Sequence, residues 1–229
     1  MVYGDKMKKY PRTFHFQFSP EIHSDDKVIS FADLGNFLQD EVVILEKIDG
    51  SNSAMKGHQG VFGRSHALPT KEPWYDHLKG LYYSKFQELK PNLWIFGENT
   101  FAIHSIEYTN MSAFFYIFAI YDSDKNEWLS YDAMVAEAER LNIPTAPLLF
   151  RGKFNSLAET NKWMDTYMKK NDSQLGGDLE GFVMRVQSAI PGDQFQKFVA
   201  KYVREGHVQS DRHWKENWKE QKLVKDESQ

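Results

Sequence analysis

Hydrophobic and polar positions repeat with two different periods along this chain, and the period separates predicted strands from predicted helices. Alternating or wholly apolar runs predict strands over 14–18, 42–45, 61–66, 93–99, 114–122, 179–185 and 195–204. Apolar residues spaced by three and four predict helices over 29–39, 72–89, 130–141 and 157–169, and the stretch from His213 is typical of a short helix. Strands and helices mix without regular alternation, so we expect one domain with an antiparallel-rich α+β fold.

Composition limits the class of protein. The chain has 229 residues, of which 41% are hydrophobic and 26% are charged, which is ordinary for a globular domain. A net charge of -4 argues against a protein that coats nucleic acid non-specifically, although it is compatible with a local basic groove. The absence of cysteine excludes disulfides, thiolate metal sites and cysteine nucleophiles, and it favours a reducing compartment.

The sequence also lacks a targeting signal and a histidine spacing typical of metal ligands. No apolar run approaches the ~18 residues that a membrane span requires, and the first residues lack the apolar core of a secretory signal. We therefore expect no membrane partner and a cytoplasmic location. Histidines 58, 66, 77 and 104 fall at no metal-ligand spacing, so a histidine metal site is not expected.

The stretch from Glu46 to Asn52 carries the strongest chemical signal. It places Lys47 at the end of an apolar β-branched strand, beside Asp49 and before Gly50. Burial of the lysine stem would lower the pKa of its amine and make it a nucleophile. The glycine permits a tight turn, and the Asn52 amide offers donors and an acceptor beyond it. Taken alone, the same residues also fit an ordinary strand-to-turn boundary.

Further polar and aromatic residues lie at other strand ends: Arg64, Glu98, Phe118, Glu180 and Lys201. In this order and spacing, together with Lys47-Ile48-Asp49-Gly50, they resemble the covalent nucleotidyltransferase superfamily of ATP-dependent ligases and mRNA capping enzymes. The closer similarity is to the RNA ligase 2 branch of RNA ligases. The phrases at 9–12, 24–27 and 201–208 also resemble a group of small bacterial and phage RNA ligase-like proteins. The resemblance covers roughly residues 9–214.

This resemblance implies an ATP-dependent RNA ligase with a ligase-type nucleotidyltransferase (adenylation) domain. Lys47 would form a lysyl–AMP adduct, AMP would pass to a 5′-phosphate end, and a 3′-hydroxyl would displace it to seal the strand. The implied cofactors are ATP and Mg²⁺ or Mn²⁺. The implied partners are RNA ends or a nicked duplex, with RNA preferred and DNA possible, and the oligomeric state is left open.

The resemblance also implies roles for the nucleotide-binding residues. Glu46 would accept from the adenine amine, Arg64 would contact ribose or phosphate, and Glu98 would bind a ribose hydroxyl. Phe118 would stack on adenine, with Phe115 as the fallback, and Asn52 would touch the phosphate end. For the charged residues the alternative is a solvated strand end, for Asn52 it is turn formation, and for Phe118 it is plain core packing.

The last motifs imply the metal and phosphate contacts. Glu180 would hold a hydrated metal ion with help from Asp49. Lys201 matches the first of two lysines that reach the phosphate, but valine occupies the second position at 203. Lys197 or Arg204 could supply the missing charge, although neither shares the strand face at the expected separation.

The domain prediction is a single adenylyltransferase unit over 1–229, with a catalytic core at about 9–206 and a basic, aromatic tail at about 207–229. Too few residues follow Lys201 for an appended OB-type barrel. The alternatives are a DNA ligase, a GTP-dependent capping guanylyltransferase, AMP transfer to another molecule, or a non-catalytic nucleic-acid end-binding module of the same fold.

Overall fold

The computed structural model describes residues 9–64, 67–206 and 218–224. A first sheet has the strand order β1 (Phe14–His15), β11 (Val199–Val203), β9 (Gly181–Val186), β2 (Val42–Lys47) and β8 (Leu148–Gly152). Its neighbours are antiparallel except β1 and β11, which are parallel. β8 was not predicted from the sequence.

The second sheet is antiparallel in its named pairs. Its order is β10 (Ile190–Pro191), β7 (Glu127–Trp128), β6 (Phe115–Asp122), β5 (Leu93–Asn99), β3 (Ser51–Lys56) and β4 (Gly60–Gly63). Residues of both sheets occur together in each of two hydrophobic clusters, which therefore join the sheets into a single core. The antiparallel α+β fold class that the sequence predicted is confirmed.

Six α-helices accompany the sheets in the described part of the chain: α1 (Phe31–Leu34), α2 (Asn36–Gln39), α3 (Asp76–Ser84), α4 (Tyr131–Arg140), α5 (Leu157–Met168) and α6 (Phe195–Phe198). Ser130 and Ser156 cap α4 and α5, because their hydroxyls accept hydrogen bonds from the Ala133 and Glu159 N–H groups. None of the described helices combines the length and the apolar character that crossing a membrane would require.

Three predicted elements differ from the structure. The helix expected over 29–39 is two single turns that meet at Gly35, and the strand expected over 14–18 pairs at only two residues. The strand expected over 195–204 begins with the helical turn α6, since Phe195 is buried in the aromatic core while Lys197 faces solvent. The helix expected from His213 lies outside the described residues as far as residue 217.

The turn after β2 crosses from the first sheet to the second, because β2 and β3 belong to different sheets. Gly50 makes this crossing possible. A Cβ atom there would lie 2.7 Å from the Asn99 carbonyl oxygen and 3.0 Å from Glu98 Cγ. The turn therefore passes directly against the end of β5, and it brings Lys47 and Glu98 to the same end of the two sheets.

Candidate active site

A cavity of about 810 Å³ opens where the two sheets meet. All the predicted site residues except one line it: Glu46, Lys47, Asp49, Asn52, Arg64, Glu98, Phe118, Glu180 and Lys201. The exception is Lys197, which is exposed on α6 and does not line the cavity. Lys197 lies outside the cavity because residues 195–198 form a helical turn and not a strand, and the nucleotide-binding role expected of it stays a prediction.

Lys47 and Glu180 form the centre of the cavity. The register of β2 and β9 pairs Lys47 with Gly181, which places the preceding glutamate beside the lysine. Lys47 Nζ lies 2.6 Å from Glu180 Oε1, and the two side chains are 25% and 2% exposed. A charge-assisted contact of this length aligns the amine while keeping it open to the cavity.

The protonation state of Lys47 differs from the prediction. Burial lowers the pKa of the amine, but the negative charges of Glu180, Glu98 and Asp49 outweigh it, and the net pKa is raised. The sequence predicted the opposite direction because it counted burial and neighbouring cations but not three converging carboxylates. In the protein without bound ligands, Lys47 is thus the counter-ion of an acidic site.

Glu98 and Asn52 face each other across the pair β3–β5. Burial raises the pKa of Glu98 to about 8, with further contributions from Glu180 and Asp49 and opposition from Lys47. A carboxyl group that holds its proton near neutrality can donate a hydrogen bond as well as accept one. Asn52 Oδ1 is buried and has no hydrogen-bond partner among the described residues, so it offers an acceptor to a bound ligand.

Glu46 is held by the loop that precedes β9. It is almost fully buried, and its carboxylate accepts hydrogen bonds from the Ser173 hydroxyl and, at 3.0 Å, from the Gln174 N–H. Burial raises its pKa, although these two donors oppose the shift. The adenine contact that we expect of Glu46 stays a prediction.

Asp49 stabilises the turn after β2 through hydrogen bonds. Its Oδ2 accepts from the Ser105 N–H at 2.7 Å, the Ser105 hydroxyl at 2.8 Å and the Ile106 N–H at 2.8 Å. Its own N–H donates to the Tyr108 hydroxyl at 2.8 Å. Asp49 thereby ties the lysine turn to the loop after β5, and the metal contact that we expect of it stays a prediction.

Phe118 is half-buried and lines the cavity, as does Val183 on the opposite sheet. Its ring makes an edge contact with Tyr10, with centroids 5.0 Å apart. Tyr10 also contacts Phe96, Trp128 and Phe195, and burial raises the pKa of its hydroxyl. Stacking of a base on Phe118 is sterically compatible with this wall and stays a prediction.

Lys201 projects into the cavity from β11, whereas the next residue on the same strand face does not. Burial and the charge of Lys47 lower the pKa of Lys201 to about 8. Val203 is fully buried, and Arg204 turns away to pair with Asp178 at 3.1 Å. The second cation of the phosphate motif is therefore absent from β11.

Sequence reasoning missed the part of the N-terminal segment that lines the cavity, namely Tyr10, Arg12, Thr13, Asp25 and Asp26. All of them except Thr13 belong to phrases that supported the family resemblance, but no role was assigned to them. The sequence carried no signal for this role, because only the folded chain brings Arg12 together with Asp25 and Asp26.

The donor set fits a hard divalent cation. Carboxyl groups of Glu180 and Glu98 line the cavity, and oxygen is the ligand type that Mg²⁺ and Mn²⁺ prefer. In the described ranges, no group of three or more His, Cys, Asp or Glu residues is arranged to hold a metal ion. A metal ion would thus rely on one or two carboxylates, water and the oxygens of a substrate.

His15 supports the cavity from behind and provides a test of the structure. It is 1% exposed, and burial, helped by the charge of Lys201, lowers its pKa to about 4. The unfolded chain binds a proton near pH 6.5 and the folded chain does not. We expect the wild type to lose about 3 kcal/mol of unfolding free energy through His15 as pH falls from about 6.5 to 4.

The check is urea denaturation at several pH values for the wild type and for His15→Gln, which cannot titrate. The difference between the two curves isolates His15 from the carboxyl groups. Parallel curves over this pH window would show that His15 is not buried in its neutral form.

Two largely antiparallel sheets therefore flank a cavity that a lysine and several carboxyl groups line. The sequence model of the RNA ligase family matches residues 40–203, and the chain belongs to that family. None of the curated proteins compared with the chain matches it.

Solved structures of Naegleria gruberi RNA ligase share the fold. A glutamate-to-alanine mutant with ATP and manganese has a TM-score of 0.59 at 18% identity, and the match covers 87% of this chain and 56% of that one. The form with pyrophosphate has a TM-score of 0.54 at 20% identity, with coverage of 86% and 59%. A lysine-to-methionine mutant with AMP and manganese has a TM-score of 0.53 at 21% identity, and the match covers 75% of this chain and 52% of that one. The chain thus spans little more than half the length of these structures.

Proposed function

We propose that the chain is an ATP-dependent RNA ligase that acts as a single adenylyltransferase domain. The observation that carries the proposal is the Lys47 amine, held 2.6 Å from buried Glu180 in the central cavity of a chain of the RNA ligase family. The solved relatives with ATP, AMP and manganese support ATP and Mg²⁺ or Mn²⁺ as cofactors.

In the first step, Lys47 Nζ forms a bond to the α-phosphorus of ATP. The bond from that phosphorus to the bridging oxygen breaks, and its electron pair leaves with pyrophosphate. The ammonium must first release a proton, and at 2.6 Å Glu180 Oε1 is placed to receive it. Glu180, with help from Asp49, would hold a divalent cation near Lys47, and this cation would neutralise charge on the phosphate oxygens.

The cavity walls supply the contacts for the nucleotide. Phe118 and Val183 face the space between the sheets and offer apolar surface to the base. Glu98 and Asn52 offer hydrogen-bonding groups to the sugar and phosphate, and Lys201 and Arg64 offer positive charge. In the later steps a 5′-phosphate oxygen displaces Lys47 from the AMP phosphorus, and a 3′-hydroxyl then displaces AMP from the activated end.

The experiment is intact-mass measurement after purified, AMP-free protein is incubated with ATP and Mg²⁺ or Mn²⁺. We expect a gain of one AMP, mapped to Lys47 by peptide analysis. A parallel incubation with GTP tests the capping-enzyme alternative, and sealing of matched RNA and DNA nicks by the adenylylated protein separates the polymers. Unchanged mass with every divalent ion would contradict the ligase proposal and favour a non-catalytic end-binding module.

A further inference from the structure

Arg12 reaches the cavity from the N-terminal segment, and no role has been assigned to it so far. The parallel pairing of β1 with β11 places His15 beside Lys201, so the residues just before β1 cross the mouth of the cavity. Arg12 Nη2 lies 3.3 Å from Asp25 Oδ2 and 3.2 Å from Asp26 Oδ1. Both contacts use the same nitrogen, and a guanidinium has further donors on Nη1 and Nε.

Asp26 links Arg12 to Lys201. Its Oδ1 lies 3.2 Å from Arg12 Nη2 and 3.9 Å from Lys201 Nζ, so the two cations approach one carboxylate oxygen. Its Oδ2 accepts from the His23 N–H at 3.1 Å and lies 3.3 Å from His15 Nε2. Asp26 is only 9% exposed, which makes it a fixed anion and not a solvated one.

His15 and Ser19 pack behind Asp26 on the interior side. His15 Nδ1 lies 3.2 Å from the Ser19 hydroxyl, and that hydroxyl accepts from the Val203 N–H at 3.0 Å. The buried histidine is neutral near pH 7, because burial lowers its pKa to about 4. His15 Nε2 makes no hydrogen bond among the described residues, so Asp26 is held by the His23 N–H and Arg12.

The same arrangement explains why valine is acceptable at position 203. Val203 is fully buried under the N-terminal segment, so this position presents no cation to the cavity. Arg12 comes from that segment and lines the cavity. Two cations that share one carboxylate oxygen are close enough for both to reach the oxygens of a single phosphate group.

We propose that Arg12 and Lys201 form a two-cation site for a phosphate group, held in position by Asp26, and that Arg12 supplies the charge that Val203 does not. The inference rests on the proposed function. The phosphate belongs either to ATP or to the 5′ end of RNA, since both present the same oxygens to the two side chains.

The test separates the two phosphates by assaying three steps in turn with Arg12→Ala and Arg12→Lys. The steps are AMP-adduct formation at varied ATP concentration, AMP transfer from adenylylated protein to 5′-phosphate RNA, and sealing of pre-adenylylated RNA. We expect Arg12→Ala to lose about 10- to 100-fold in the step that uses the phosphate, through KM for ATP or through the transfer rate. Arg12→Lys should recover part of that loss.

Arg151→Ala is the matched control. Arg151 also pairs with two carboxylates, Glu41 and Asp132, and is 38% exposed against 41% for Arg12, but it does not line the cavity. Asp26→Asn should lower the same step as Arg12→Ala, because Asp26 approaches both cations.

The outcomes are distinguishable from failure of the ligase proposal. If the wild type forms the AMP adduct but Arg12→Ala matches Arg151→Ala in all three steps, the two-cation site is refuted and the ligase proposal stands. If the wild type forms no adduct, the ligase proposal itself fails. A loss confined to adduct formation assigns the site to ATP, and a loss confined to transfer assigns it to the RNA end.

Discussion

Lys47→Ala should abolish the AMP adduct, with a loss of at least about 10³-fold in adduct formation. The register of β2 and β9 places this amine beside Glu180, whereas the other lysine of the cavity, Lys201, projects from β11. The variant should remain folded, since the side chain is 25% exposed and its removal leaves the carboxylates open to water and metal. The measurement is label transfer from α-labelled ATP, combined with thermal denaturation.

Lys90→Ala is the control for this prediction. Lys90 Nζ lies 2.7 Å from Glu137, a buried carboxylate like Glu180, but neither residue lines the cavity. We expect Lys90→Ala to lose some stability and to form the adduct at the wild-type rate. Adduct on another lysine of the Lys47→Ala variant would show that the cavity does not select its nucleophile.

Gly181→Ala should have the largest effect on the fold around the site. A Cβ atom at this position would lie 2.1 Å from the Tyr202 carbonyl oxygen and 3.0 Å from Val203 Cα. Both are backbone atoms of β11, so no side-chain rotation relieves the overlap and the two strands must separate. We expect the unfolding free energy to fall by about 3 kcal/mol, the upper end for overpacking, as measured by urea denaturation.

The same substitution should also slow adduct formation, because Glu180 precedes Gly181 on one strand and Lys201 lies on the other. Gly80→Ala is the control. It lies within α3 with no atom in reach of an added Cβ, so it should stabilise the protein by about 0.5–1 kcal/mol. If both alanine variants proved equally stable, β9 and β11 would not approach as closely as the structure shows.

The sequence predicted the strands and helices that are determined by their own side chains. The apolar strands β2, β5 and β6 and the capped helices α4 and α5 follow from the side chains they contain. It missed β8, which pairs with β2 through half-exposed residues and has no clear alternation. It was wrong at 195–198, where the tertiary aromatic core takes Phe195 and imposes a helical turn on an apolar stretch.

The sequence predicted which residues line the candidate site, but it did not predict how their charges act on one another. The family motifs located the residues that line the cavity, but each motif was read as a separate strand end. The convergence of Glu180, Glu98 and Asp49 on Lys47 depends on two sheets meeting at one turn, and this convergence reverses the direction of the Lys47 pKa shift. Likewise, the position of Arg12 at the cavity depends on the long-range pairing of β1 with β11, which the sequence did not predict.

That pairing also sets the order in which the molecule can be completed during synthesis. β1 ends at His15, and its partner β11 begins at Val199, so these two strands can pair only after β11 has been synthesised. Until then β1 can bridge only to nearby residues such as Val28. A nascent chain that already contains Lys47 therefore lacks the proposed site of Arg12, Asp26 and Lys201 until β11 has joined β1.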